Sequence, residues 1–471
     1  MLALIVGFAG MMGGVGMDTL SVDSSRVLMV NRVLIIGNEV TKDRIISREL
    51  TLKPGDTISV KRLDKVLLWD KRKIYNLRLF NTVSVRSLEL TNNKIDLLVD
   101  VSERWYIFPV PIFELSDRNF SEWWQNYNHD LSRVNYGLNL MRYNFRGRNE
   151  TLQVAAQFGF TQRFDISYRI PYIDKKQKQG LAFNVDYSEP KNLAYFTDNH
   201  ILTYLKYSKP LKITSGASVT YFYRKSFYET QSLQVGYRDS KINDTIALLN
   251  PNYFAQDRLR LRYGFLNYSF NSEHRDVIQY PLRGYQVAGF IQKTGLGFGS
   301  NVDLLEAGLS YARHVALKKN LFLSNYTSGY VATPTKQPYA LYAGMGYRRQ
   351  FVRGYETYVI ETPQFVLNKT TLKKRIFYKT WDIDWAPLDQ FHYFPLAIYI
   401  KAYTDWGYAE NYPYYSDFLP QPLNTRLTNK WIGGWGGGLD FVTVYDIVIR
   451  MEYTFTNQNH RGFFLSLKKE F

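Results

Sequence analysis

The sequence contains no cysteine. That excludes a disulfide framework, a thiolate metal site, a cysteine nucleophile and a lipoprotein anchor. The body of the chain has no run of 18 or more apolar residues, so no helix in it is long and apolar enough to span a bilayer. Histidine is scarce: His129, His200, His274, His314, His392 and His460 are scattered, without the HExxH spacing that puts two ligands on one helix face. There is no GxSxG elbow and no phosphate-binding P-loop. Isolated wall carboxylates without a formed cleft do not make an enzyme, so no catalysis and no cofactor or metal is expected. The net charge of +17 first suggests nucleic acid, but Lys and Arg are dispersed rather than gathered in a stripe or recognition helix. A basic lumen, or contact with anionic lipid, fits that dispersal better.

Aromatic residues, by contrast, are abundant. They make up 16% of the 471 residues, with 38 Tyr and 30 Phe. Such a load suits a membrane β-barrel, whose girdles of amphipathic rings sit at both interfaces. Residues 1–17 are apolar and small, and read as the h-region of a secretory signal with a small-residue end near Gly14 to Gly16. They are set aside from the fold.

Arg26 to Arg104 reads as a small α+β unit in the order strand, helix, helix, strand, strand. Val27 to Ile36 is rich in β-branched residues and closes at Gly37-Asn38. Thr41 is expected to cap a short helix holding Arg44, Ile45 and Ile46, and Leu63, Val66, Leu67, Ile74 and Leu77 fall at helical spacing in a longer one. Val83 to Leu90 and Ile95 to Val101 pair as strands across Asn92-Asn93. Trp105 to Arg133 reads as a linker, with Trp123, Trp124 and Tyr127 as an interfacial cluster.

From Val134 the period is two. Phe164, Ile166, Tyr168 and Ile170 alternate with Arg163, Asp165, Ser167 and Arg169, and Ile449, Met451, Tyr453 and Phe455 with Arg450, Glu452 and Thr454. A soluble sandwich turns its charges outward, whereas a membrane barrel turns them inward. Alternation alone does not separate the two; strand number and aromatic density favour the barrel. Sixteen segments are counted, starting near 134, 150, 163, 180 and 199 and ending with one near 461. The longest connections, near 239–257, 334–372 and 408–430, all follow odd-numbered segments in that count.

The second of these connections holds Gly344 to Ile360, with Val352, Arg353, Gly354 and Tyr355 at its tip. An Arg-Gly pair needs no role in a solvated loop. Folded into a barrel, the guanidinium would be a planar, always-charged donor fork able to lock to a wall carboxylate, and Gly354 would permit a tight turn beside it. Strand parity from Leu396 onward places Leu396, Ile398, Ile400 and Ala402 toward lipid and Ala397, Tyr399, Lys401, Tyr403 and Asp405 toward the lumen. Asp405 is thus the expected partner of Arg353, with Glu452 next in line.

GNEVT at 37–41, the helix running through Leu79-Phe80 into NTVSV, and the closing DLLVDVSER at 96–104 resemble a POTRA domain. Together with VRGY at 352–355, DVIQYPLRG at 276–284, YTDWG at 403–407 and the terminal GFFLSLKKEF, the chain resembles the POTRA-plus-barrel superfamily of BamA- and TamA-like assembly factors and two-partner secretion transporters. The resemblance implies a periplasmic POTRA-like domain at 26–104, a linker at 105–133 and a 16-stranded antiparallel transmembrane β-barrel at 134–471 in a Gram-negative outer membrane. It implies a lumen lock at Arg353, Gly354, Tyr355, Asp405 and Gly407, and a structural turn at Asp276, Pro281 and Gly284. The expected seam joins a first strand carrying Asn139 to a last strand carrying Ser466 and Phe471. The expected client edge of the small domain carries Leu79, Phe80, Val83 and Val85. Unfolded outer-membrane or secreted polypeptides are the implied partners, with outer-membrane lipids and accessory periplasmic or lipoprotein subunits beside them, and no nucleic acid. A passive channel and a transporter dedicated to one secreted protein stay open as alternatives. The sequence departs from the family in having room for one POTRA domain, where assembly factors carry several and secretion transporters two.

Overall fold

The computed structural model describes residues 26–115, 134–297, 299–342, 344–347, 350–383, 393–417, 423–443 and 447–467. The apolar segment 1–17, the cluster Trp123, Trp124 and Tyr127, and Phe471 lie outside them.

The small domain comprises β1 (Val27–Ile36), α1 (Asp43–Ser47), β2 (Thr57–Ser59), α2 (Val60–Tyr75), β3 (Phe80–Glu89) and β4 (Lys94–Glu103). Its sheet runs β2-β1-β4-β3, with β1 parallel to β4. The short strand β2 was not foreseen; Thr57 to Ser59 pairs with the start of β1 just before the longer helix begins. Ile45, Ile46, Ile74, Phe80, Val83, Val99 and Val101 close one core cluster. Each such side chain contributes about 1.5–3 kcal/mol on burial. Asp70 is buried and is satisfied by the Thr51 N–H at 2.9 Å, the Thr51 hydroxyl at 2.6 Å and Lys73 at 2.7 Å.

The barrel sheet has sixteen antiparallel strands. In chain order they begin with β5 (Ile107–Leu115), β6 (Val134–Phe145), β7 (Glu150–Gly159), β8 (Thr161–Ile170) and β9 (Gln179–Pro190). A hairpin of β10 (Asn192–Asp198) and β11 (Ile201–Lys206) follows and forms its own two-stranded sheet. The wall resumes with β12 (Lys212–Arg224), β13 (Glu229–Ile242), β14 (Arg260–Glu273), β15 (Gly284–Thr294), β16 (Leu304–Lys318) and β17 (Leu321–Thr333). It ends with β18 (Gln364–Asp382), β19 (Tyr393–Ala409), β20 (Trp431–Val442), β21 (Val448–Thr456) and β22 (Arg461–Leu467). Outward positions are apolar and exposed, such as Val154, Ile166, Val235 and Leu309. Inward ones are polar and buried, such as Lys401, Asp405, Asp440 and Glu452.

The count of sixteen is right, but one of its members is not a wall strand and one wall strand is missing from it. The expected linker 105–133 contains the first wall strand, β5, which pairs with β6 from Ile107↔Arg142 to Leu115↔Val134. The segment near 199 alternates like a wall strand but belongs to the β10–β11 hairpin. The two errors cancel in the total and invert the direction expected for the strands between 134 and 190.

The small domain sits directly on one rim of the barrel. Arg224, the last residue of β12, donates two hydrogen bonds to Glu49 at 2.7 and 3.0 Å. The Asn76 amide donates to the Asp276 carbonyl at 3.3 Å. Trp69 packs edge-on to Tyr228, which stacks on His274 with centroids 4.1 Å apart. Thr41 does not cap α1; its hydroxyl accepts from the amide of Asn144, near the end of β6, at 2.7 Å.

The opposite rim is capped by the long connections. A shell of Leu211, Ile242, Ile246, Tyr253, Phe254 and Tyr339 packs beside a second one of Tyr342, Tyr412 and Tyr415. His200, at the turn of the β10–β11 hairpin, ties three segments together. Its backbone N–H donates to Asn424 Oδ1 at 2.9 Å, and its Nε2 accepts from the Leu427 N–H at 3.0 Å. Nε2 is therefore the acceptor, and Nδ1 carries the proton toward the Val359 carbonyl at 3.2 Å. Burial, with Arg426 and Lys430 adding to it, pulls the His200 pKa down to about 4. A histidine depressed in the docked state costs nothing above its free value near 6.5 and opposes docking as pH falls from there toward 4. Glu361, raised by burial, works in the opposite sense. Hydrogen exchange of the Ile201–Lys206 amides, corrected for its intrinsic pH dependence, is expected to accelerate between pH 7.5 and 5, by about 2 kcal/mol of lost protection. His200→Gln should abolish that acceleration. Equal pH dependence in the variant would show that His200 does not control the cap.

Candidate functional site

The connection between β17 and β18 turns back into the barrel. Its apolar side, Met345, Val352, Tyr355 and Ile360, packs on Phe365, Leu367, Ala409, Leu427 and Ile432 of the wall and cap. Burial of that side carries the tip inward, and Arg353 arrives at the inner wall with its side chain 9% exposed, against an Asp405 that is fully buried. The pair is bidentate: Nε donates to Asp405 Oδ2 at 2.7 Å and Nη2 to Oδ1 at 2.6 Å. The Arg353 backbone N–H reaches the same carboxylate at 3.2 Å. Nη2 also donates to Thr371 Oγ1 at 3.0 Å, and Nη1 to Glu452 Oε1 at 3.4 Å. The guanidinium lies 3.8 Å above the Tyr403 ring. The charge and the π face suit any cation, but the fork geometry matches arginine and would not match lysine.

Room for the loop comes from glycines. Gly354 has φ +92°, and a Cβ there would lie 2.6 Å from Thr456 Cγ2. A Cβ on Gly434 would lie 1.9 Å from the Arg353 carbonyl oxygen, and one on Gly407 would lie 2.7 Å from Met345 Cε. On β20, Gly434, Gly436 and Gly438 stand directly across from Asp405, Tyr403 and Lys401 of β19. Each bulky inward residue thus faces an empty position. Below the lock, Lys401 Nζ joins Asp440 at 2.5 Å to Glu452 at 2.8 Å, so Glu452 is shared between Lys401 and Arg353.

The β14–β15 turn enters the lumen from the end nearer the small domain. Asp276 Oδ1 accepts the N–H groups of Val277, Leu282 and Arg283 at 2.9–3.2 Å. Gly284 closes the turn at φ +104°, where a Cβ would strike the His274 carbonyl at 2.1 Å. Pro281 is buried. The turn carries Tyr280 upward, where its hydroxyl donates to Asp440 Oδ2 at 2.9 Å and its ring packs against Tyr399 and Phe322.

The structure thus brings Arg353, Gly354, Tyr355, Asp405, Gly407 and Glu452 together; the Tyr355 hydroxyl donates to Asn457 Oδ1 at 2.8 Å. It separates others. Asn139 is on β6, the second wall strand, opposite Val110 of β5, because the first strand begins at Ile107. Ser466 is on the last described strand, β22, opposite Arg450. Leu79, Phe80 and Val83 are core residues of the small domain, 0–4% exposed, and Val85 packs against them. Their side chains are therefore not offered to a client. β3 is nonetheless an edge strand of its sheet. Sequence reasoning missed the roles of Thr371 and Tyr403 and the glycine row. The alternate glycines of WIGGWGGG were the signal, since only one strand face carries 434, 436 and 438.

Family models match in two places. One described as POTRA, surface antigen variable number repeat, covers residues 28–104, and one described as Omp85 superfamily domain covers residues 144–467. No curated protein sequence matches the chain. Among solved structures, BamA from Haemophilus ducreyi lacking POTRA domains 1–3 aligns over 93% of this chain and 83% of its own, with 14% identity and a TM-score of 0.51. CdiB from Escherichia coli aligns over 94% of this chain and 74% of its own, with 10% identity and a TM-score of 0.53. At such identities the likeness is one of fold.

Proposed function

The chain belongs to the Omp85 superfamily, and from that membership we propose that it is an outer-membrane insertase or translocase that works without chemistry, handing unfolded polypeptide from its small domain to the barrel by strand addition. The observation that carries this reading is the obstructed lumen. The Arg353 loop occupies it from one side and the Tyr280 turn from the other, with the small domain docked beneath. A passive channel has no use for either insertion or for the α+β domain. A route through the wall is then the one open to a client, and a strand taken up at the seam exchanges backbone hydrogen bonds until its own barrel closes.

In this reading the small domain is periplasmic, and the capped rim, which collects the long connections, is extracellular. The edge of β3 accepts extended clients by backbone pairing alone. One POTRA domain is a small platform, and accessory periplasmic or lipoprotein subunits would extend it. A transporter dedicated to a single secreted partner uses the same parts and differs in the number of clients.

Reconstituted in planar bilayers, the protein is expected to show small, erratic conductance. A cysteine at Leu248, 82% exposed on the cap, should label on intact cells, and one at Asn93 should not. Large, steady conductance would return the protein to the porin class, and labelling at position 93 would reverse the orientation. Affinity capture from outer membrane then separates many clients from one.

A further inference from the structure

The two strands that must meet at the seam differ in what they offer. β5 reads Ile107-Phe-Pro109-Val-Pro111-Ile-Phe113. The Tyr143 N–H donates to the Tyr106 carbonyl at 2.8 Å, which makes 106↔143 a hydrogen-bonded pair of the β5–β6 register. Every second residue repeats that pattern, so 108, 110 and 112 direct their backbone groups at β6, while 107, 109, 111 and 113 direct theirs away from it. The two residues that lack an N–H, Pro109 and Pro111, are therefore consecutive positions on the seam-facing edge. Whatever lies alongside β5 meets carbonyls there and no donor.

β22 is the opposite case. The Thr456 N–H donates to the His460 carbonyl at 2.9 Å, and the β21–β22 register continues from Phe455↔Arg461. Residues 462, 464 and 466 thus face β21, and Arg461, Phe463, Leu465 and Leu467 face the seam. None of these is proline, so the edge carries an unbroken row of donors and acceptors. Phe463 and Leu465, 63% and 64% exposed, stand on the outward face of that same row. An extended strand with apolar residues at every second position would match both the hydrogen-bond row and the apolar face.

Resting on the strand-addition reading, we infer that Pro109 and Pro111 disqualify the first strand as a template and that incoming client strands add to the free edge of β22. The prolines do two things at once. They weaken closure of the barrel by removing two donors from the seam, and they leave the last strand as the edge with a full complement. In lipid, where an unpaired carbonyl has no water to turn to, that difference directs the client.

The test uses folded full-length protein in proteoliposomes, with a photo-crosslinking residue at Phe463 or Leu465 of β22, or at Ile107 or Phe113 of β5. The probe is the same chain unfolded in urea, which is itself a barrel precursor. Adducts at the β22 positions are expected to exceed those at β5 by about tenfold, the worth of two backbone hydrogen bonds. A Pro109→Val/Pro111→Val variant, checked for folding by its heat-modifiable mobility, should bring the β5 yield up toward that of β22. Equal or greater β5 adducts in the parent protein overturn the inference while leaving strand addition standing, as does an unchanged ratio in the folded double variant. Absence of adducts at both strands overturns the inference together with the reading it rests on.

Discussion

Arg353→Ala and Asp405→Ala are each expected to remove most of the activity, and the double variant to be little worse than either. The two side chains share one bidentate contact, and Asp405 is fully buried. Truncating one partner of a buried pair strands the other charge, at about 3–5 kcal/mol. Water would reduce that to about 1 kcal/mol at an open site, but the burial of both groups argues for the upper range. Arg353→Ala should be the more severe single change, because it also ends the contacts with Thr371, Glu452 and the Tyr403 face. Arg353→Lys should rescue in part, keeping the charge and losing the fork. The measurements are the temperature at which the barrel loses its heat-modifiable mobility and the rate of client insertion, taken as a double-mutant cycle. Losses that simply add would mean that the pair is not the lock.

Tethering the seam is expected to stop function outright while leaving the barrel folded. The tether must join β5 to β22, so the position on the first side is Val110, which shares a pair with Asn139 and points inward, against Phe464 or Ser466 on the other. The chain has no other thiols, so any disulfide formed is the designed one. Oxidised protein should keep its barrel mobility and lose client insertion, and reductant should restore it. Cells relying on the oxidised form should show a depleted set of folded outer-membrane barrels. Normal growth and outer-membrane composition with the pair fully oxidised would rule out lateral opening and leave secretion through the lumen as the better reading.

The lock was legible because it needs only strand parity and charge. Leu396 to Asp405 alternates without interruption, so the alternation alone assigns Asp405 to the lumen, and Arg353 was a fixed charge at the tip of a long loop. The first strand was not legible, since Pro109 and Pro111 break the usual strand pattern; both prolines direct their backbone away from β6, so the pairing of β5 with β6 survives them. The hairpin at 192–206 misled for the converse reason. Its residues alternate as wall residues do, and nothing local distinguishes a strand that joins the barrel from one that folds over its rim. Leu79 and Phe80 drew attention by their place before β3, but in a domain this small such large apolar residues are the core. The docking of the small domain was invisible because its contacts, Glu49 with Arg224 and Asn76 with Asp276, join residues 175 and 200 positions apart.

Only Arg104, Trp105 and Tyr106 separate β4 from β5, and they are not slack. The Arg104 N–H and the Tyr106 hydroxyl both donate to the Leu79 carbonyl at 2.9 Å, and Arg104 Nε donates to the Phe80 carbonyl at 2.8 Å. A flexible tether would leave a bound peptide to find the barrel by diffusion, at an effective concentration set by the tether's length. Here there is no length to search. A peptide paired to β3 is held at a fixed distance and angle from the rim, and its local concentration there, on the order of millimolar or above, does not depend on how much client is free in solution. The rate of transfer should therefore saturate with occupancy of the small domain and be insensitive to dilution of the pool beyond that point.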